Sequence, residues 1–260
     1  INSQACRIEK LDGEIEIGNF IVISCVSEEP ALQKYFLKIM AMLLASQKNF
    51  SFDLGNSIRT LVELFKAMSR PPTESVQGLW GELFFALKAP KPIFVLETWH
   101  NQPEEKYDFT FQGKAIEIKS ASGGVRQHHF SIDQLKPREG CEVLIASMFV
   151  RRSDIGLSLS KLLDEIEHRL TDRPDLLVRI HDVVIKTLGS SWKKAMDDEF
   201  DETIARKSLL FFDIPSIPSL TEDIPKEISN VRFVSDLSEI TPVVKEEYRR
   251  KGGLFAQAIR

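Results

Sequence analysis

Cysteine is scarce in this chain, and its few thiols are badly spaced for cross-linking. Cys6, Cys25 and Cys141 are scattered and share no Cys-x-x-Cys pattern, which argues against a disulfide framework or a zinc site and fits a reducing cytoplasm. Positive charge is not in excess either: 34 Lys and Arg stand against 38 Asp and Glu, for a net charge of −4. That balance argues against broad, charge-driven nucleic-acid binding but leaves room for a local basic groove. Long apolar runs are also absent. None approaches the roughly 20 residues that span a bilayer, and the opening residues do not read as a signal peptide, so no membrane contact is expected. There is no internal repeat and no low-complexity tract. The first residue is Ile1 rather than Met, as expected of a processed start or a piece of a longer protein. With 260 residues, 43% of them hydrophobic, the chain can build one sizeable core, or a core with a smaller appendage.

The most informative stretch runs from Tyr107 to Ser120. Tyr107-Asp108-Phe109-Thr110-Phe111 carries the aromatic and β-branched residues of a strand, Lys114-Ala115-Ile116-Glu117-Ile118-Lys119 supplies a second arm, and Gln112-Gly113 is a two-residue turn. If Phe111 faces Lys114, Asp108 stands opposite Glu117 with Cβ atoms roughly 5 Å apart. Lys119 lies two residues further on and shares that face, while Phe109, Ile116 and Ile118 form the apolar reverse. Facing carboxylates on a half-buried sheet repel, so either one pKa rises or a cation is recruited. Mg²⁺ suits such a pair, being held by one or two carboxylates, waters and substrate phosphate. An adjacent ammonium can then orient a water or stabilise charge on a phosphate. The same pattern also permits a plain surface hairpin with a cross-strand Lys and Glu pair, worth under about 1 kcal/mol.

Asp108 followed by Glu117-Ile118-Lys119 resembles the signature of the PD-(D/E)XK nuclease superfamily, an Asp at one strand and a Glu-x-Lys on the next. Tyr107 stands where the Pro that names the motif would be, and members commonly lack that Pro. Upstream, Gly78-Leu79-Trp80-Gly81-Glu82-Leu83-Phe84-Phe85 belongs to a helix predicted over Val76 to Leu87, capped by Thr73 or Ser75. Its two glycines would let it approach other backbone closely. Glu82 interrupts an apolar segment, and a carboxylate there is costly to bury unless paired, protonated or metal-bound. It either sits at the solvent edge or is delivered to the carboxylate pair. In the superfamily a Glu on this helix often adds to the metal site, and a polar residue, often Gln, sits on the helix after the Glu-x-Lys strand. The resemblance therefore implies Asp108, Glu117, Lys119, Glu82 and Gln134 as catalytic residues. It implies Asp108, Glu117 and Glu82 as metal ligands, Mg²⁺ as cofactor with Mn²⁺ as a substitute, and DNA as partner.

Elsewhere the pattern gives elements rather than chemistry. Glu14 to Ile17 and Phe20 to Ile23 read as two strands around Gly18-Asn19. Pro30 opens a helix to about Ser46 with Leu32, Phe36, Ile39, Met40, Leu43 and Leu44 on one stripe. A break at Phe50 to Gly55 precedes a helix from about Ile58 to Met68, stopped by Pro71-Pro72. Ile93 to Leu96 is apolar and of undecided type, and Trp99-His100 with Pro103, Glu104 and Glu105 reads as loop. Ser120 to Gly124 reads as a connector. Arg126 to Ile132 predicts a third strand, on which His128 and His129 must point to opposite faces. Ser131 caps a short helix carrying Gln134, and Cys141 to Val150 is a buried central strand. Arg126, His128, Lys136 and Arg138 are candidates for nucleic-acid contact, with Arg151-Arg152 adding to the local basic cluster. Ser158 to Leu170 and Pro174 to Leu188 are amphipathic helices whose His168 and His181 are structural. Lys207 to Ile214 and Val231 to Val234 are strands in a proline-rich, edge-like region, and the tail from Val243 carries no signal.

The order of elements over residues 73–170 matches what the resemblance requires. The expected class is α/β (α+β), a restriction-endonuclease-like αβββαβ core with a mixed central sheet flanked by helices. Residues 1–72 would form an N-terminal hairpin and helical extension, 73–190 the nuclease-like core, and 191–260 C-terminal strands and tail. The implied activity is metal-dependent hydrolysis of DNA phosphodiesters by a cytoplasmic enzyme, like the PD-(D/E)XK motif proteins of bacterial restriction and phage-defence loci. Partners implied with it are an ATPase or helicase of a defence operon and a second copy of the chain. The alternative is a nuclease fold used as a binding or assembly module of a larger defence complex.

Overall fold

The computed structural model of the protein describes residues 2–46, 54–100, 105–220, 225 and 227–260. An N-terminal ribbon comes first: β1 (Asn2–Glu9) pairs antiparallel with β2 (Ile15–Val22). The expected turn at Gly18-Asn19 lies inside β2 instead, facing Cys6 and Ala5. The chain reverses at Asp12-Gly13, where Gly13 takes φ 86° and the Gly13 and Lys10 N–H groups bond within the loop. Asp-Gly is the stronger reversal signal because both residues tolerate the left-handed region.

Four helices follow. α1 (Pro30–Ser46) buries Tyr35, Phe36, Ile39 and Leu43, whereas Leu44 at the edge of the predicted stripe is exposed. α2 (Leu54–Ala67) starts earlier than expected; most of the break predicted at Phe50 to Gly55 lies outside the described residues. α3 (Val76–Lys88) is capped by Ser75, whose Oγ accepts the Gly78 N–H at 3.1 Å. Its close packing does not depend on glycine: a Cβ at Gly81 would meet Val150, Ile118 and Met148 side chains at 3.7–3.8 Å, ordinary contact. The undecided run after Pro90 is α4 (Pro92–Thr98), with Pro at its first position.

The Gln112-Gly113 turn then joins β3 (Phe109–Phe111) to β4 (Lys114–Ala121). Both turn residues have positive φ, 46° and 74°, the geometry that matches strand twist in two-residue hairpins. Phe111 faces Lys114 and Phe109 faces Ile116, the register expected. After β5 (Gln127–Ser131) and a 3₁₀ turn at Asp133–Leu135, β6 (Glu142–Phe149) runs parallel to β4. β7 (Arg152–Ser158) leads into α5 (Leu159–Arg169) and α6 (Pro174–Leu188). Next come α7 (Trp192–Met196), β8 (Glu199–Phe200), α8 (Glu202–Ser208), β9 (Leu210–Asp213) and β10 (Arg232–Asp236). The tail forms α9 (Lys245–Arg250) and α10 (Gly253–Ala258).

The central sheet has the order β3-β4-β6-β9, with β6 antiparallel to β9. This is a mixed sheet in an α/β protein, but the third strand of the expected αβββαβ order is not in it. β5 pairs antiparallel with β10 in a separate ribbon. Its Phe130 is fully buried and packs with Tyr107, Ala115, Val143, Ile145 and Phe212, so the ribbon covers one face of the sheet rather than extending an edge. The other face, Ile116, Ile118, Leu144, Ala146 and Met148, lies in the main core with residues of α1 to α6. Residues 207 and 208, expected as strand, end α8. The tail is not idle: Leu254, Phe255, Ala258 and Ile259 are buried in the main core. His181 is structural as expected, bonding Tyr35 Oη at 3.0 Å and Glu167 at 2.9 Å.

Candidate active site

Because side chains alternate along a strand, Glu117 and Lys119 continue the face of β4 on which Ala115 packs under the β5–β10 ribbon. Continuing the β3–β4 register by one residue sets Asp108 across from Glu117. Asp108 Oδ2 accepts the Ile118 N–H at 2.6 Å. Glu117 Oε1 accepts from Lys119 Nζ at 2.6 Å and from Gln134 Nε2 at 2.6 Å. Gln134 Oε1 in turn accepts from Lys119 Nζ at 3.3 Å and from the Ser131 N–H at 3.1 Å. Gln134 is thus the hinge of the polar cluster, fixed at its own N–H by Ser131 Oγ.

Glu82 reaches the same place from α3. It is 5% exposed, and its Oε2 accepts from Trp99 Nε1 at 2.9 Å and meets His100 Nε2 at 3.1 Å. His100 Nε2 lies 3.8 Å from Asp108 Oδ1. The sequence pattern makes His100 a loop residue, and the structure brings it into the site. Its backbone N–H donates to the Asp108 carbonyl at 2.9 Å, beside a Trp99–Phe109 bridge, and its φ is 39°. Glu74 and Arg232 also reach the cleft, which holds about 420 Å³ and is lined by Glu82, Asp108, Glu117, Lys119, His128 and Gln134 among others. A positive φ on a non-glycine is the structural mark of His100. In sequence it stands outside any periodic element and carries no signal.

A family model described as "Putative PD-(D/E)XK family member" (DUF4420) matches residues 3–238. The chain belongs to the DUF4420 family. No curated protein and no solved structure matches it. Its family description points to a nuclease, and PD-(D/E)XK nucleases usually use divalent metals.

The donor set of this DUF4420 protein fits such an ion. One ligand atom from each of Glu82, His100 and Asp108 lies within 4.8 Å of the others. Glu117, expected as a ligand, is outside that group, its Oε1 being engaged by Lys119 and Gln134. Burial, and then the Glu117 and Glu82 charges, hold the Asp108 carboxyl well above the usual carboxylate range, against the pull of the Ile118 N–H and Lys119. Burial likewise raises Glu117, although Lys119 opposes it. Glu74 is exposed at the rim, yet burial of its carboxyl, and then the charge of Glu82, push it up to about 7. Burial alone would lower the pKa of His100, but its bond to Glu82 and the surrounding carboxylates outweigh that and raise it. Crowded buried carboxylates that resist ionisation are what a divalent cation relieves.

The other candidates divide. His128 lines the cleft but is 2% exposed, with Nε2 on Ser147 Oγ at 2.7 Å, and burial, then Lys119 and Arg126, lower it to about 4. Arg126 is not at the cleft surface. Its guanidinium is buried and donates to Ser147 O at 3.0 Å, to Ser147 Oγ at 2.7 Å and to Ser208 O, over the Phe149 ring. It ties the ribbon to the sheet, so a phosphate would have to displace these bonds. Lys136 and Arg138 are exposed but do not line this cleft; Arg138 borders a neighbouring one with Lys106 and Asp133. Gln127, His129 and Arg232, on the ribbon, are exposed and do line it.

Proposed function

We propose that the chain is a metal-dependent phosphodiesterase that cuts DNA, with Asp108, Glu117, Lys119, Glu82 and Gln134 as its machinery. The observation that supports the reading is the convergence of three carboxylates, one ammonium and one amide in a single cleft, with Lys119 Nζ and Gln134 Nε2 both on Glu117 Oε1. Asp108 and Glu82, with Glu117 beside them, would hold a divalent cation such as Mg²⁺ or Mn²⁺. When bound, that cation supplies Lewis acidity to a phosphate oxygen and acidifies a water. Lys119 donates hydrogen bonds from a desolvated site, where they count for more than in water. Its ammonium is held toward the cleft by Glu117 and Gln134, and it orients the attacking water or stabilises charge on the phosphate. Gln134 keeps Glu117 from rotating away, and Ile118 N–H fixes one oxygen of Asp108, leaving Oδ1 on the His100 side.

Duplex DNA comes first among the proposed substrates because the Asp and Glu-x-Lys hairpin resembles the motif of nucleases from restriction and phage-defence loci; a partner ATPase or helicase and a homodimer belong to the same proposal. The test is nicking of supercoiled plasmid by purified protein with Mg²⁺ or Mn²⁺. Asp108→Ala should lose both metal binding and nicking. Equal nicking by the variant, with contaminating nuclease excluded, overturns the reading. The net charge of −4 favours a second reading, a nuclease fold that associates with partners without turnover, which predicts DNA or protein association and no cleavage in any metal.

A further inference from the structure

We propose that His100 is itself a metal ligand, through Nε2, and that it biases the site toward a first-row transition ion such as Mn²⁺ over Mg²⁺. The inference rests on the metal-dependent reading above and adds to it the identity of the ion. Three placements carry it. Nε2 lies 3.1 Å from Glu82 Oε2 and 3.8 Å from Asp108 Oδ1, between the two carboxylates rather than at the edge of one. The three donor atoms fall within 4.8 Å of one another. The backbone of His100 is tied to Asp108 by the His100 N–H to Asp108 C=O bond, 2.9 Å, and is held at φ 39°. A non-glycine held at positive φ carries strain that surrounding structure must impose. Here that structure is the Trp99–Phe109 bridge and the Trp99 indole on Glu82.

Chemistry then separates the ions. Mg²⁺ demands oxygen ligands in near-octahedral array and gives up water reluctantly. Imidazole nitrogen suits first-row transition ions, whose affinities for mixed nitrogen and oxygen sites exceed that of Mg²⁺. A Glu, His and Asp set therefore discriminates where three carboxylates would not. Trp99 fixes Glu82 in the manner of an outer partner that orients a ligand.

The test is Mn²⁺ and Mg²⁺ titration of the full chain, alone and with a short DNA duplex, with pulsed electron paramagnetic resonance of the Mn²⁺ form. Wild type should bind Mn²⁺ tighter than Mg²⁺ and show electron-spin modulation from a directly bound imidazole nitrogen. His100→Asp should keep metal binding, lose the nitrogen modulation and bring the two affinities together. His100→Gln should bind both ions weakly. Mn²⁺ binding without nitrogen modulation, or an unchanged ion preference in His100→Asp, overturns the inference while leaving a metal-dependent enzyme standing. Absence of metal binding with and without DNA overturns both.

Discussion

The substitution Asp108→Asn should make the metal-free protein more stable at neutral pH while destroying its metal site. Asp108 is 8% exposed and sits among Glu82 and Glu117, and its carboxyl is held well above the usual range chiefly by burial. A raised carboxyl pKa means the folded state binds more protons than the unfolded one, so stability falls as pH rises from about 4, where unfolded Asp titrates, to the folded value. Wild type suffers that loss without metal; the Asn variant does not. Asn keeps an acceptor for the Ile118 N–H, now at 2.6 Å from Asp108 Oδ2, so the hydrogen bond survives without the buried charge. Relief of such a strained functional position is worth about 1–2 kcal/mol, or about 2–8 °C in Tm for a chain of this size. The assay is thermal unfolding in EDTA at pH 8 and pH 4, then with Mn²⁺. The variant should unfold higher at pH 8, show no advantage at pH 4, and gain nothing from Mn²⁺, whereas wild type should gain about 2.7 kcal/mol at a hundredfold excess over Kd. A variant that unfolds lower than wild type at pH 8 in EDTA refutes the electrostatic account of the site.

Two further substitutions separate scaffold from chemistry. Gly81→Ala should be tolerated and stabilise α3 by about 1 kcal/mol, because the added Cβ meets side chains at 3.7–3.8 Å; denaturant unfolding reads it, with nicking unchanged. Trp99→Phe removes the indole N–H that holds Glu82 at 2.9 Å and should weaken metal binding of the folded variant by about 10–100-fold, read by calorimetric titration, and it should lower Tm as well, because Trp99 is buried in the main core.

The hairpin was legible because two rules agreed on it. Turn chemistry fixed Phe111 opposite Lys114, and strict alternation then put Asp108, Glu117 and Lys119 on one face. Glu82 was legible as a carboxylate out of place in an apolar helix. Gln134 was placed by resemblance, and no feature of its own spacing marked it. The position of β5 was not legible: alternation shows that His128 and Phe130 share a face, not whether that face stacks on a sheet or joins its edge. Charge misled at Arg126, since nothing in the order of residues tells a buried guanidinium on Ser147 from a solvated one. The tail helices were too short for periodicity to register, yet Leu254 and Phe255 complete the core.

Lys119→Met tests the central claim most directly, because Lys119 lies outside the Glu82, His100 and Asp108 group and its loss should leave the cation bound. The measurement is single-turnover nicking of DNA by wild type and Lys119→Met at equal metal occupancy, verified on the same samples by calorimetry. Metal bound with the cutting rate down by about 10²-fold or more, the scale of a lost transition-state donor, is the result predicted. Cutting that proceeds at the wild-type rate in Lys119→Met would contradict a phosphodiesterase built on this cleft.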